Sequence, residues 1–215
     1  YTMMRMIDVN IFNTEKTIRQ SIEKGVKKYF CVSTDKAANP EAYTMTALAE
    51  SLEELVAAES VRELVLLAHS MGGPIALELA RIFRETGGPR IAGLVFAEGN
   101  LDPGDAFMSA RVAAQPRDEF LARGWKALLE DFSGQPALAG YLRTLRQTGP
   151  EVVHACCVSL TAMSHPDITV PLIEAIDARR LFIFGERNRG VFSSEALARR
   201  LGAVAFVPNA GHAMF

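Results

Sequence analysis

Residues 63–83, ELVLLAHSMGGPIALELARIF, constrain this chain more than any other stretch. Leu64 to Ala68 form an apolar run too short for an independent helix and rich enough in Leu and Val to be a buried strand. Beyond His69-Ser70-Met71-Gly72-Gly73-Pro74 the apolar positions recur as Ile75, Leu79, Ile82 and Phe83, which is helical spacing. A strand thus runs into a helix through one tight turn, with Ser70 at its apex. The backbone can approach itself that closely only if the residues two before and two after the apex are small. Ala68 and Gly72 meet that demand, Gly73 adds a further small residue, and Pro74 suits a first helical turn.

A serine held on such a turn projects its hydroxyl away from the sheet. The N-terminus of the following helix offers amide donors and a positive dipole end where an oxyanion can form. The turn resembles the nucleophile elbow of the α/β-hydrolase family, written G-x-S-x-G, with Ala68 in place of the first glycine. The competing reading is a strand-to-helix turn of some other α/β protein.

The surrounding text keeps to that resemblance from about residue 42 to the C-terminus. Met45, Leu48, Leu52, Leu55 and Val56, interleaved with Glu50, Glu53 and Glu54, predict an amphipathic helix packed on a sheet. Gly87-Gly88-Pro89 breaks the elbow helix, and Ile91 to Ala97 reads as the next strand. Residues 103–175 contain no convincing strand; helices are expected around Phe120 to Phe132, Leu138 to Leu145 and Val152 to Met163. The family resemblance implies a helical cap there, supplying an apolar pocket; ordinary packing helices are the plain alternative. Leu181 to Phe184, a helix from about Ser193 to Leu201, and the strand Ala203 to Val207 complete an α/β fold with a mostly parallel sheet and flanking helices.

A serine hydroxyl needs a base to take its proton, and the base needs an orienting acid. The family order is Ser, acid, His, with the histidine on a loop after the last strand. His212, in N-A-G-H-A-M-F, matches that position and is the expected base. His69 adjoins the nucleophile at a position often filled without a chemical role, and His154 and His165 read as structural or exposed. The acid is open. A frequent site is a Gly-x-x-Asp after the strand that follows the cap, but here Gly185-Glu186-Arg187-Asn188 leaves it vacated, because an amide cannot balance an imidazolium. A second family solution places the acid after the strand that follows the elbow helix. Glu98 stands there and is favoured, with Asp102, Asp105 and Glu186 as the alternatives. Met71 N–H is the expected oxyanion donor; the second donor, often from a His-Gly or Gly-Gly loop, has no counterpart before Ala42.

The first forty residues are written differently. Ile11, Ile18 and Ile22 give a helical stripe, and Tyr29 to Val32 a short strand. The run VKKYFCVSTDKAANP resembles nucleotide-sugar dehydratases and epimerases of the extended short-chain dehydrogenase/reductase family. Tyr43 has Ala47 where that family's lysine would stand, and no G-x-G-x-x-G lies upstream, so neither its cofactor cradle nor its catalytic lysine is expected. The organisation expected is therefore a reductase-like segment at 1–40, replacing early hydrolase strands, followed by a hydrolase core at 41–215 with a cap at about 103–175.

Composition narrows the remaining classes. The net charge is −2 with 49% hydrophobic residues, so nothing argues for a nucleic-acid partner. The apolar runs fall short of the roughly 18 residues of a membrane span. Cys31, Cys156 and Cys157 form neither a disulfide framework nor a zinc site, which points to a reducing cytoplasm. The start at Tyr1 and the absence of a signal peptide in what remains fit a fragment. The expected function is cleavage of an ester or similar acyl bond of a small apolar substrate, without cofactor or metal. The alternatives are a non-catalytic, truncated or chimeric hydrolase-like protein and, further off, a nucleotide-sugar enzyme fragment.

Overall fold

The computed structural model describes residues 43–135 and 139–212. The reductase-like reading of residues 1–40 lies outside them. Among the described residues the sheet has four strands, β1 (Glu63–His69), β2 (Arg90–Ala97), β3 (Arg179–Gly185) and β4 (Ala203–Val207), in that spatial order. All three pairings are parallel, so every strand ends at the same edge of the sheet. That shared edge is where the turns after β1, β2 and β3 and the loop after β4 meet. The chain is an α/β fold with a parallel sheet and flanking helices.

Helix α1 (Met45–Ala58) starts at Thr44, whose side chain accepts from Ala47 N at 3.1 Å. It buries Met45, Ala49 and Val56, while Leu55, expected on the apolar stripe, is 50% exposed. Helix α2 (Gly72–Thr86) follows the elbow and ends at Gly87, whose φ of 72° is a conformation open to glycine. Ile75, Leu79 and Phe83 of α2 pack with Leu64, Leu66 and Ala68 of β1, Leu94 and Phe96 of β2, and Phe182 and Phe184 of β3 in one core.

Between β2 and β3 the described chain carries helices and no strand: α3 (Phe107–Ala113), α4 (Arg117–Glu119), a π-helical turn (Phe120–Gly124), α5 (Trp125–Ser133), α6 (Ala139–Thr148), α7 (Pro150–Met163) and α8 (Pro166–Glu174). The spacing of Phe120 to Phe132 predicts one helix. The structure interrupts it with the wide turn, which seats Phe120 against Trp125 and His154. The short helices α3 and α8 escaped the sequence reading, because neither offers a full apolar stripe. This region has its own small core of Val112, Phe120, Leu128, Leu145, Val153 and Cys157. Helix α7 joins the two cores, with Val153 and Cys157 in one and Cys156 and Leu160 in the other. Helix α9 (Ser194–Leu201) lies between β3 and β4.

Candidate active site

Ser70 follows the last residue of β1 and has φ 53°, a left-handed backbone that serine adopts only under constraint. Its N–H donates to Ala97 O of the neighbouring strand at 3.1 Å, and its carbonyl accepts from Gly73 N at 2.9 Å, so the turn is fixed from both sides. Ala68 is fully buried in the position of the first glycine. Gly73 has no such latitude: a Cβ there would lie 2.0 Å from Gly99 O and 2.5 Å from the Phe96 ring. Met71 N–H stands at the start of α2, among the first-turn amides that have no partner within a helix.

Glu98 directly follows β2 and also has a left-handed backbone, φ 40°. That kink, with Glu98 N–H bonded to Ile183 O at 2.9 Å, swings a buried carboxylate along the sheet edge. Its Oε2 is 2.7 Å from His212 Nδ1, and Ser70 Oγ is 3.0 Å from His212 Nε2. Serine, imidazole and carboxylate thus form one continuous hydrogen-bonded line across the ends of β1 and β2. Burial opposes ionisation of Glu98. Bonds from His212, from Asn188 and from the Gly185 amide outweigh it together and hold its carboxyl below the ordinary glutamate value.

Asn188, at the position read as vacated, donates to both oxygens of Glu98, at 2.9 and 3.0 Å. The amide supports the displaced carboxylate instead of replacing it. Each other candidate acid has different company. Asp102 accepts from Ser193 Oγ at 2.7 Å, and Asp105 from Ser194 Oγ at 2.6 Å. Glu186 accepts from Asn209 N at 3.1 Å. Asp102 and Asp105 therefore tie the segment after β2 to the start of α9, and Glu186 braces the loop that carries His212.

That loop packs backbone to backbone on the end of β3. Arg187 N donates to Ala210 O at 2.9 Å, and a Cβ on Gly185 would fall 2.4 Å from Gly211 O. His69 reaches the loop from the other side: its Nε2 lies 2.8 Å from the main-chain oxygen of His212, a contact that sequence spacing could not signal. His154 bonds Gln115 O at 2.8 Å, and His165 caps α8 through Asp167 N, so both serve the helical region. The stretch before Ala42, where the family's second oxyanion donor would stand, lies outside the described residues. Among the described residues no cluster of His, Cys, Asp and Glu could hold a metal, and no helix is long and apolar enough to cross a membrane. A surface groove lined by Glu53, Val61, Phe83 and Gly88 lies at the far end of α2, about 20 Å along that helix from Ser70, and takes no part in the site.

Residues 32–215 match the Alpha/beta hydrolase family. The chain belongs to this family. The match begins at residue 32, inside the stretch that resembles the reductases, and that second resemblance is not shown. Among solved structures, a thermophilic esterase from Thermogutta terrifontis is 25% identical with a TM-score of 0.53 over 79% of this chain and 65% of its own length. An esterase from Exiguobacterium antarcticum matches at 16% identity and TM-score 0.59, over 83% of this chain and 70% of that one. A bromoperoxidase from Bacillus anthracis matches at 20% and 0.57, over 82% and 70%. The last two carry the fold alone. The chain thus spans slightly less than two thirds of the Thermogutta esterase. No curated protein matches the chain in sequence.

Proposed function

We propose that this hydrolase is a serine esterase or close relative, cleaving an acyl bond of a small apolar substrate through Ser70, His212 and Glu98. The observation that carries the reading is the line of contacts from Ser70 Oγ through His212 to Glu98, with Ser70 on a strained turn at a helix start. Ser70 Oγ attacks the carbonyl carbon as His212 Nε2 takes its proton. Glu98, ionised and hydrogen-bonded to Nδ1–H, stabilises the imidazolium that forms. Met71 N–H, at the positive end of the α2 dipole, faces the developing oxyanion. His212 then protonates the leaving alcohol, and a water activated by the same ring releases the acid. The esterase identity of the Thermogutta neighbour supports the choice of ester over other acyl bonds. In this reading the helices between β2 and β3 would act as the cap, and their own small core supports a separate packing unit there.

The test is labelling of the full chain with a fluorophosphonate, beside Ser70→Ala and His212→Ala. Labelling that requires both residues is the expected result. A folded chain that takes no label sinks this reading and leaves a hydrolase-like scaffold without its chemistry.

A further inference from the structure

His212 is the base in the reading above, yet its main chain sits on a loop that must be held over the ends of three strands. Besides the ring's own bond to Glu98, the loop is held on the β3 side by Arg187 N donating to Ala210 O, Asn209 N donating to Glu186 Oε2, and the close approach of Gly185. The opposite side is held by His69, the last residue of β1 and the neighbour of Ser70. Its Nε2 is 2.8 Å from His212 O, and the two rings lie 4.8 Å apart, tilted by 35°. A carbonyl can only accept, so Nε2 of His69 carries a proton. The bond therefore ties the backbone of the base to the residue that immediately precedes the nucleophile.

We propose that His69 is a positioning residue, whose Nε2–H donated to the His212 carbonyl sets the reach between the His212 ring and Ser70 Oγ. The role rests on the serine-hydrolase reading. The bond spans 143 positions of sequence but couples the two reacting side chains through one short link. Without it, the loop's backbone is held from the β3 side alone, and the ring can retreat from Ser70 while keeping its bond to Glu98.

Burial, and then the charge of the His212 ring, push the His69 imidazole below its ordinary value; the bond to the His212 carbonyl and then Glu98 act in the opposite sense. A neutral His69 suits the task. Protonation would preserve the Nε2–H donor but place a second positive charge beside His212 as its imidazolium forms. The groups that set this balance are His212 from the loop after β4 and Glu98 from the end of β2.

The test uses full-length His69→Gln, which keeps an N–H donor near the Nε2 position, and His69→Phe, which keeps the ring and loses the donor. Saturation kinetics of fluorophosphonate acylation separate maximal rate from probe affinity. His69→Phe is expected to lose roughly 10- to 100-fold in maximal rate with affinity unchanged, the scale of a base misplaced by about 1 Å, and His69→Gln to recover most of it. Nitrogen-15 spectra of the imidazoles, recorded also in Ser70→Ala, are expected to show His69 protonated at Nε2 and the His212 ring signals moved by His69→Phe but not by His69→Gln.

Equal acylation by all three proteins overturns the proposal. So does an equal loss in both variants with His212 signals unmoved, or a wild-type His69 protonated only at Nδ1. If the wild type takes no label, the esterase reading falls by itself, and the spectra still decide whether His69 holds the loop.

Discussion

In a Glu98→Gln variant the side chain keeps its shape while one carboxylate oxygen becomes an N–H₂ donor. Two donors converge on each oxygen in the wild type: Gly185 N and Asn188 Nδ2 on Oε1, Asn188 Nδ2 and His212 Nδ1 on Oε2. The Gly185 amide belongs to the end of β3 and cannot turn away, whereas an imidazole can relocate its proton. The surviving carbonyl oxygen therefore takes the place of Oε1, and the new N–H₂ faces His212 Nδ1. His212 must accept there, and its remaining proton moves to Nε2, pointing at Ser70 Oγ. In that tautomer the ring cannot take the serine proton. The equivalent swap in a Ser-His-Asp triad costs about 10⁴-fold in turnover, or about 5 kcal/mol of transition-state stabilisation. Initial rates of para-nitrophenyl acetate hydrolysis, with a thermal melt to show that the variant folds, measure it. A folded Glu98→Gln that keeps more than about a tenth of the wild-type turnover would falsify the assignment of Glu98 as the group that orients His212.

Gly185→Ala is expected to cut turnover about 100-fold with a smaller effect on folding, because its Cβ would press on Gly211 O and shift the His212 loop by the order of 1 Å; steady-state rates beside a urea titration separate the two effects. Glu98 also makes stability depend on pH. Its stabilising contribution is full above the ordinary glutamate value of 4.5, where the unfolded chain is ionised too. Below that value the unfolded chain takes up the proton first, so stability falls with pH until the folded carboxyl titrates. Urea unfolding across that acid range should show the limb in the wild type, and a flatter one in Glu98→Gln. Cys156 and Cys157, with thiols pushed by burial up to about 12 and about 11, are expected to resist iodoacetamide in the native protein and react once it is unfolded, as read by intact mass.

The elbow was legible because its demands are local: a short apolar run, small residues at fixed offsets and helical spacing afterwards all lie within twenty-one residues. The strands were legible for the same reason, since each is a short apolar run. The acid was only half legible. Sequence could place Glu98, Asp102, Asp105 and Glu186 at strand ends, but could not say which carboxylate faces an imidazole; that depends on the left-handed kink at Glu98 and on what Ser193, Ser194 and Asn209 bind instead. Asn188 looked like a loss because an amide is no acid, and its role as a donor to Glu98 exists only across two neighbouring strands. His69 was invisible for a related reason. Its partner is a main-chain oxygen, and every residue has one.

Glu98 stands before the helical region that separates β2 from β3, and His212 stands after it. The proposed nucleophile and its carboxylate therefore share one half of the chain, and the proposed base arrives with the other. A break introduced at 136–138 would divide the small helical core too, leaving Val112, Phe120 and Leu128 on one fragment and Leu145, Val153 and Cys157 on its complement. Neither fragment would hold all three proposed residues, and each would expose the apolar half that the other covers. Turnover then becomes a reporter of reassociation, switched on only when two separately made pieces find one another.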